Sequence, residues 1–137
     1  MVSLENKVRF VETDLMGVVH HSYYFNWFEM GRVEYLRQAG ILLNDLLAQG
    51  IVFPITNVSC KYRASARFDD VVLIQTTLKE VSKVKMIFTY EIIKEAGHVL
   101  LATGETENVF TNEAGKIIRL PDLYYERLVA SRLEKNE

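Results

Sequence analysis

The spacing of apolar residues along this chain predicts one strand, a long helix and then a run of strands. In the first segment Val8 and Phe10 alternate with Arg9 and Val11, as they do in a half-buried strand. Later segments with alternating or continuous apolar residues mark four further strands. The expected strands span residues 5–13, 51–63, 70–81, 83–94 and 99–111. Because most strands follow one another after the helix, the pattern favours an α+β fold over alternating strands and helices.

Start or stop signals mark three helices. They are expected over residues 23–39, 42–49 and 121–134. Ser22 is the expected N-cap of the long helix, and Gly40 is its expected end. Gly50 ends the short helix, and Pro121 opens the closing helix, since proline is favoured in a first helical turn.

The long helix is more apolar than a helix on a protein surface. Its apolar positions and one glycine recur at helical spacing: Tyr24, Trp27, Phe28, Gly31, Tyr35 and Leu36. Such a helix is expected to be enclosed, most simply by a curved sheet. In the last predicted strand Ala102, Gly104 and Thr106 lie on one face, and their small side chains leave room for a closely packed helix.

A carboxylate, a turn glycine and two histidines precede the long helix. Asp14 and Gly17 lie in the turn expected at residues 14–21, which ends with His20 and His21. Free N–H groups at a helix N-terminus can hold an anion or polarise a carbonyl group. The segment therefore indicates acyl chemistry, with an acid or base next to the helix start.

This segment resembles the signature of the hot-dog-fold acyl-CoA thioesterases, in particular the 4-hydroxybenzoyl-CoA thioesterase and YbgC-like families. The residues that carry the resemblance are Asp14 to His21, followed by Tyr24, Phe28, Glu29 and Arg32. Residues 62–70 resemble the same family's turn between its second and third strands. The resemblance implies a single hot-dog domain over residues 1–137, with a five-stranded antiparallel sheet wrapped around a central helix. It also implies a homodimer or homotetramer with interfacial active sites, an acyl-CoA substrate and no cofactor.

The resemblance implies specific catalytic roles. Asp14 is expected to deliver oxygen to the thioester, either as the nucleophile or as the general base for water. The backbone N–H of His21 is the expected oxyanion donor. The imidazole of His21 can also contact Asp14 or the substrate. No metal site is expected, because adjacent histidine side chains should diverge and no third ligand is evident.

Several further residues are expected to bind the substrate: Gly17, Val18, Tyr24, Phe28, Glu29, Arg63 and Arg67. Tyr24 and Phe28 are candidates for the acyl pocket. Glu29 either contacts the substrate or pairs with Arg32 or Arg9. The two arginines, together with Lys61, either meet the phosphates of CoA or remain solvated.

Composition excludes other functional classes. The net charge is −2, so no basic excess attracts nucleic acid. The single cysteine, Cys60, excludes an intramolecular disulfide and is expected to be a small buried residue. The first residues lack the apolar core of a signal peptide, and no apolar run approaches the length of a membrane span. A cytoplasmic protein is therefore expected.

Three functions fit these observations. The first is hydrolysis of acyl-CoA thioesters. The second is a non-hydrolytic acyl-thioester binding protein that keeps the pocket. The third is a hot-dog dehydratase, although the turn from Asp14 to Gly17 before the helix fits the thioesterase pattern better.

Overall fold

The computed structural model of the protein describes residues 1–135, which form five strands and three α-helices. The strands are β1 (Val2–Lys7), β2 (Ile55–Tyr62), β3 (Val71–Val81), β4 (Lys85–Lys94) and β5 (Val99–Val109). The helices are α1 (Tyr23–Gln38), α2 (Leu43–Ala48) and α3 (Asp122–Lys135). Short 3₁₀ turns occupy Phe10–Glu12 and Ala96–His98. None of the helices within residues 1–135 combines the length and apolar composition needed to cross a membrane.

The strands form one antiparallel sheet in the order β1-β3-β4-β5-β2. Helix α1 packs on one face of the sheet and contacts β1, β3 and β4. This arrangement confirms the α+β hot-dog fold expected from the sequence. β2 lies at an edge of the sheet and begins after Pro54, as expected for a segment with a proline near its start.

The helix approaches the sheet closely because glycines lie at the contact. All six residues of its predicted apolar stripe are buried. A Cβ atom at Gly31 would overlap the Thr76 side chain on β3. A Cβ atom at Gly104 on β5 would overlap the ring of Phe28. The expectation that Gly104 makes room for the helix is thus confirmed.

The first strand lies earlier in the chain than the sequence pattern predicts. β1 ends at Lys7, and residues 8–13 turn away from the sheet. Phe10 and Val11 are exposed there, whereas Glu12 is buried, the reverse of what a strand with an apolar face requires. The prediction of a strand over residues 5–13 is therefore wrong, because the buried carboxylate of Glu12 fixes a 3₁₀ turn instead.

The predicted ends of α1 are correct, but the side chain of Ser22 does not cap the helix as expected. Ser22 is the N-cap residue, yet its side chain does not cap a helix N–H group; its Oγ lies 2.8 Å from His20 Nδ1. At the other end Gly40 has φ +83°, the left-handed conformation of a Schellman motif. In that motif the N–H of Ile41 donates to the Leu36 carbonyl oxygen at 2.8 Å.

Replacing Gly104 with alanine tests the close approach of α1. The added Cβ would overlap the Phe28 ring and lie 3.0 Å from the Ser59 carbonyl oxygen. We expect Gly104→Ala to lower the free energy of unfolding by about 1–3 kcal/mol, the usual cost of overpacking a core. Urea denaturation measures the change.

A double-mutant cycle tests whether the Phe28 ring causes this loss of stability. Phe28→Leu removes part of the ring that the new methyl group would meet. Gly104→Ala combined with Phe28→Leu should therefore cost less than the sum of the two single changes. If Gly104→Ala is as stable as the wild type, the steric explanation is wrong.

Candidate active site

A cleft of about 360 Å³ opens beside the start of α1. It is lined by residues from the turn before the helix, from α1 and from the end of β2: Asp14, Val19, His20, His21, Tyr24, Tyr62, Arg63, Ala64 and Ser65. The structure therefore brings the expected catalytic pair, Asp14 and His21, into one cleft. Of the expected binding residues, Tyr24 and Arg63 line the same cleft.

Asp14 lies at the start of a tight turn. The N–H of Gly17 donates to the Asp14 carbonyl oxygen at 3.1 Å, and Gly17 has φ +77°, a conformation that favours glycine. The N–H of Met16 donates to Asp14 Oδ1 at 2.8 Å. No group in the described part of the chain donates to Asp14 Oδ2. The turn therefore fixes one carboxylate oxygen and leaves the other available to react.

The N–H groups at the start of α1 are largely paired within the turn itself. The N–H groups of Tyr23, Tyr24 and Phe25 donate to the carbonyl oxygens three residues earlier, and the N–H of Ser22 donates to His20 Nδ1. Within residues 1–135 the N–H of His21 has no acceptor. The first turn of α1 also contains no acidic residue, so nothing there offsets the positive end of the helix dipole.

The two histidine rings do not diverge as expected. Their centroids lie 4.3 Å apart with an interplanar angle of 29°, so the rings of His20 and His21 are stacked. Across residues 1–135 no three histidine, cysteine or acidic side chains converge in a way that could hold a metal ion. Both histidines line the cleft.

Tyr62 connects the end of β2 to the start of α1. Its hydroxyl donates to the His21 carbonyl oxygen at 3.0 Å, and its ring meets that of Tyr24 edge to face at 5.0 Å. Tyr62 is 45% exposed. Its partial burial is the largest cause that raises its pKa to about 12, and its hydrogen bond with the Cys60 thiol is the second. Burial likewise raises the pKa values of Tyr24 and of half-buried Cys60. These groups are therefore neutral at physiological pH, and Asp14 is the acidic residue among those that line the cleft.

The remaining basic and turn residues lie around the cleft. Val18 is half-buried, and its backbone pairs with that of Arg67 in an isolated bridge. The side chain of Arg67 is exposed beside the turn. Arg63 also borders a second depression of about 500 Å³, which it shares with Lys61. Glu91 and Glu105 line that depression too, so it carries charges of both signs.

Phe28 and Glu29 do not line this cleft. Phe28 is fully buried and stacks on Tyr90 with ring centroids 4.3 Å apart, so it does not line this cleft, and its place in an acyl pocket stays a prediction. Glu29 is exposed in a separate groove of about 490 Å³ between α1 and β1. Neither expected ion pair forms: Arg32 donates to the Tyr90 hydroxyl, and the Arg9 guanidinium approaches Glu12.

Sequence reasoning missed two residues of this region. Glu12 is buried and accepts a hydrogen bond from the indole N–H of Trp27. Tyr62 belongs to the segment that resembles the family's turn, but the resemblance implied no role for its side chain. An acidic residue two positions before Asp14 was the only sequence signal for Glu12, and nothing in the pattern connects it to a tryptophan 15 residues later.

The chain resembles known proteins over nearly its whole length. A sequence model of the thioesterase-like superfamily matches residues 8–128. A hypothetical protein from Thermus thermophilus is 38% identical, with a TM-score of 0.87 over 93% of this chain and 97% of that one. The DHNA-CoA thioesterase from Staphylococcus aureus is 31% identical, with a TM-score of 0.87 over 98% of this chain and 89% of that one. The acyl-CoA thioester hydrolase YbgC from Escherichia coli O157:H7 is 30% identical over 112 residues, which are 82% of this chain and 75% of that protein.

Alkaline titration tests the raised pKa of Tyr62. A pKa of about 12 in the folded state lies above the value of about 10 for an unfolded tyrosine. The stability that this group contributes is therefore complete below pH 10 and is lost as the pH rises towards 12. We expect the free energy of unfolding to fall over this range in the wild type and to fall less in Tyr62→Phe, as measured by urea denaturation at each pH.

Tyr24 and Cys60 remain in the Tyr62→Phe variant. Because their pKa values are also raised, the alkaline loss should become smaller without disappearing. An equal loss in the variant and the wild type would mean that the pKa of Tyr62 is not raised in the folded protein.

Proposed function

The chain belongs to the thioesterase-like superfamily, and on this premise we propose that it hydrolyses acyl-CoA thioesters to the free acid and CoA. The observation that carries the proposal is the cleft beside α1, in which Asp14 Oδ2 and the backbone N–H of His21 have no hydrogen-bond partner among residues 1–135. Two relatives at 30% and 31% identity are named for hydrolysis of CoA thioesters. A thioester is a good electrophile, so a carboxylate and one oxyanion donor suffice for its hydrolysis.

Asp14 is the proposed oxygen-delivering group. As a nucleophile, Oδ2 would attack the thioester carbon, the C–S bond would break, and water would hydrolyse the resulting mixed anhydride. As a general base, the carboxylate would take a proton from water, and the oxygen of that water would attack instead. In both routes the CoA sulfur leaves as a thiolate and is then protonated. The hydrogen bond from Met16 holds Oδ1 and directs the attack to Oδ2.

The backbone N–H of His21 is the proposed oxyanion donor. It is unpaired among the described residues, and it lies at the positive end of the α1 dipole. As the carbonyl carbon becomes tetrahedral, its oxygen gains negative charge that this N–H would stabilise. Loss of one such donor typically costs about 2.7–4 kcal/mol in the barrier. The imidazole of His21, stacked on that of His20, would act as a wall of the cleft.

Substrate binding is proposed for the residues around the cleft. Tyr24 and the turn formed by Gly17 and Val18 would contact the acyl end, since they lie beside Asp14. Arg63 and Arg67 would meet the phosphates of CoA, because both are exposed basic side chains at or next to the rim. A guanidinium group presents the planar set of donors that phosphate oxygens accept.

A second copy of the chain is proposed to complete the site, in a homodimer or homotetramer. β2 is an edge strand, and the apolar residues Ile55 and Val58 are 45% and 42% exposed on it. An exposed apolar edge is a template for pairing with another chain. Glu29 lies in its own open groove without an ion-pair partner among residues 1–135, and it would reach the substrate from the second copy. A cytoplasmic location is also proposed, since a lone cysteine fits a reducing compartment.

Neutralising Asp14 tests the catalytic assignment. Asp14→Asn keeps an oxygen for the hydrogen bond from Met16, so the turn is preserved while the negative charge is lost. We expect kcat/KM to fall by about 10²–10⁴-fold, the range associated with loss of a general base. Release of free CoA from short, medium, long and aromatic acyl-CoAs measures the rate.

Asp45→Asn is the matched control. Asp45 is an exposed aspartate in the first turn of α2, and it does not line the cleft. Its replacement should leave turnover unchanged. Tight binding of acyl-CoA without any product would indicate a binding protein, and an enoyl product would indicate a dehydratase; either outcome would contradict hydrolysis.

Lysine at position 58 tests the proposed assembly. A charged side chain on an edge strand opposes pairing with a second chain. We expect Val58→Lys to shift the protein towards the monomer in size-exclusion chromatography with light scattering and to lower turnover. Ile117→Lys, at another exposed apolar residue, is the control and should change neither quantity. A fully active wild-type monomer at micromolar concentration would overturn the interfacial site.

A further inference from the structure

Glu12 is a carboxylate enclosed by the protein. It is only 1% exposed, in the 3₁₀ turn that precedes Asp14. Charged side chains are almost never buried to this extent unless they are paired. Here both oxygens are occupied: Oε1 accepts the N–H of Arg9 at 2.7 Å, and Oε2 accepts the indole N–H of Trp27 at 2.8 Å. The Arg9 guanidinium also lies 3.6 Å from Oε1, so the buried charge of Glu12 is paired as well as hydrogen-bonded.

These bonds connect the two chain segments that form the cleft. Trp27 is fully buried on α1, and its ring lies 4.8 Å from that of Tyr24, a cleft residue. The backbone carbonyl of Glu12 accepts the N–H of His20 at 3.0 Å. Asp14 follows Glu12 by two residues, and His21 follows His20 directly. One residue thus ties the segment that carries the carboxylate to the segment that carries the oxyanion donor.

We propose that Glu12 is a positioning residue that sets the Asp14 carboxylate against the His21 N–H through its hydrogen bond to Trp27. The proposal rests on the proposed function of the cleft. Glu12 does not line the cleft, so it acts through its neighbours and not on the substrate. Catalytic geometry is sensitive to such support, since a displacement of about 1 Å can cost about 10²-fold in rate.

The test compares Glu12→Gln with the wild type. Glutamine has the same shape, but its amide nitrogen cannot accept the second hydrogen bond. We expect kcat to fall by about 10–100-fold, with KM changed by less than about threefold, at a temperature where both proteins are folded. The pH–rate profile should keep its wild-type shape, because Asp14 remains the reacting group. Glu126→Gln, at an exposed glutamate of α3, should leave both constants unchanged.

Trp27→Phe is the second variant, since it removes the other partner of the hydrogen bond. If Glu12 acts through Trp27, the two changes should be non-additive: the double variant should be about as slow as the slower single variant. Additive losses would overturn this route. Unchanged kcat in folded Glu12→Gln would overturn the proposal altogether. Failure of both variants to fold would overturn it in favour of a purely structural role.

A spectroscopic readout separates this proposal from the proposed function. Trp27 is the single tryptophan, so one indole N–H resonance reports on its bond to Glu12. In Glu12→Gln we expect faster exchange of that proton and shifted amide resonances for Asp14 and His21, measured on the protein without substrate. If the wild type hydrolyses no thioester but these shifts occur, the function fails and the positioning role stands. If the Asp14 and His21 resonances do not move, the positioning role fails whatever the activity.

Discussion

The close contact between α1 and the sheet is the constraint on which the rest of the structure depends. Gly31 on the helix lies against Thr76, and Gly104 on β5 lies against the ring of Phe28, so a side chain at either glycine would overlap its neighbour. Close packing of this kind leaves little freedom for the helix to slide or rotate. The start of α1 is therefore held at one place beside the sheet. The cleft lies at that place, between the helix start, the turn that carries Asp14 and the end of β2.

The chemistry of the cleft follows from what surrounds one charged group. Burial raises the pKa values of Tyr24, Cys60 and Tyr62, so these neighbours are neutral at physiological pH. Asp14 is exposed, and its Oδ1 accepts the N–H of Met16. The positive end of the helix dipole then has no acidic residue in the first turn to offset it. In the proposed mechanism Asp14 delivers the oxygen, and the positive end of the α1 dipole stabilises the negative charge that develops on the substrate.

The buried carboxylate of Glu12 explains why the chain leaves the sheet earlier than its apolar pattern predicts. Residues 8–11 alternate in a way that predicts a strand, yet Phe10 and Val11 are exposed and the chain has already left the sheet. The hydrogen bonds of Glu12 to Arg9 and Trp27 outweigh the local preference, because a buried carboxylate must be paired. Ser22 shows the same effect on a smaller scale: it occupies the N-cap position, but its hydroxyl contacts His20. In both cases the local structure depends on a side-chain partner outside the segment itself: Trp27 for Glu12, and His20 for Ser22.

The sequence by itself determined the fold class, the ends of α1 and the segment that carries Asp14 and His21. These depend on the period of apolar residues and on local turn chemistry, both of which can be read along the chain. Only the tertiary structure decided that Tyr62 and Arg63 share the cleft with Asp14, that Phe28 belongs to the core, and that Glu29 lies in a separate groove. Residues 28 and 29 are adjacent in the sequence, but successive residues of a helix point about 100° apart. Which of those directions meets the sheet, the cleft or solvent depends on how the helix is packed, and the packing is a property of the whole chain.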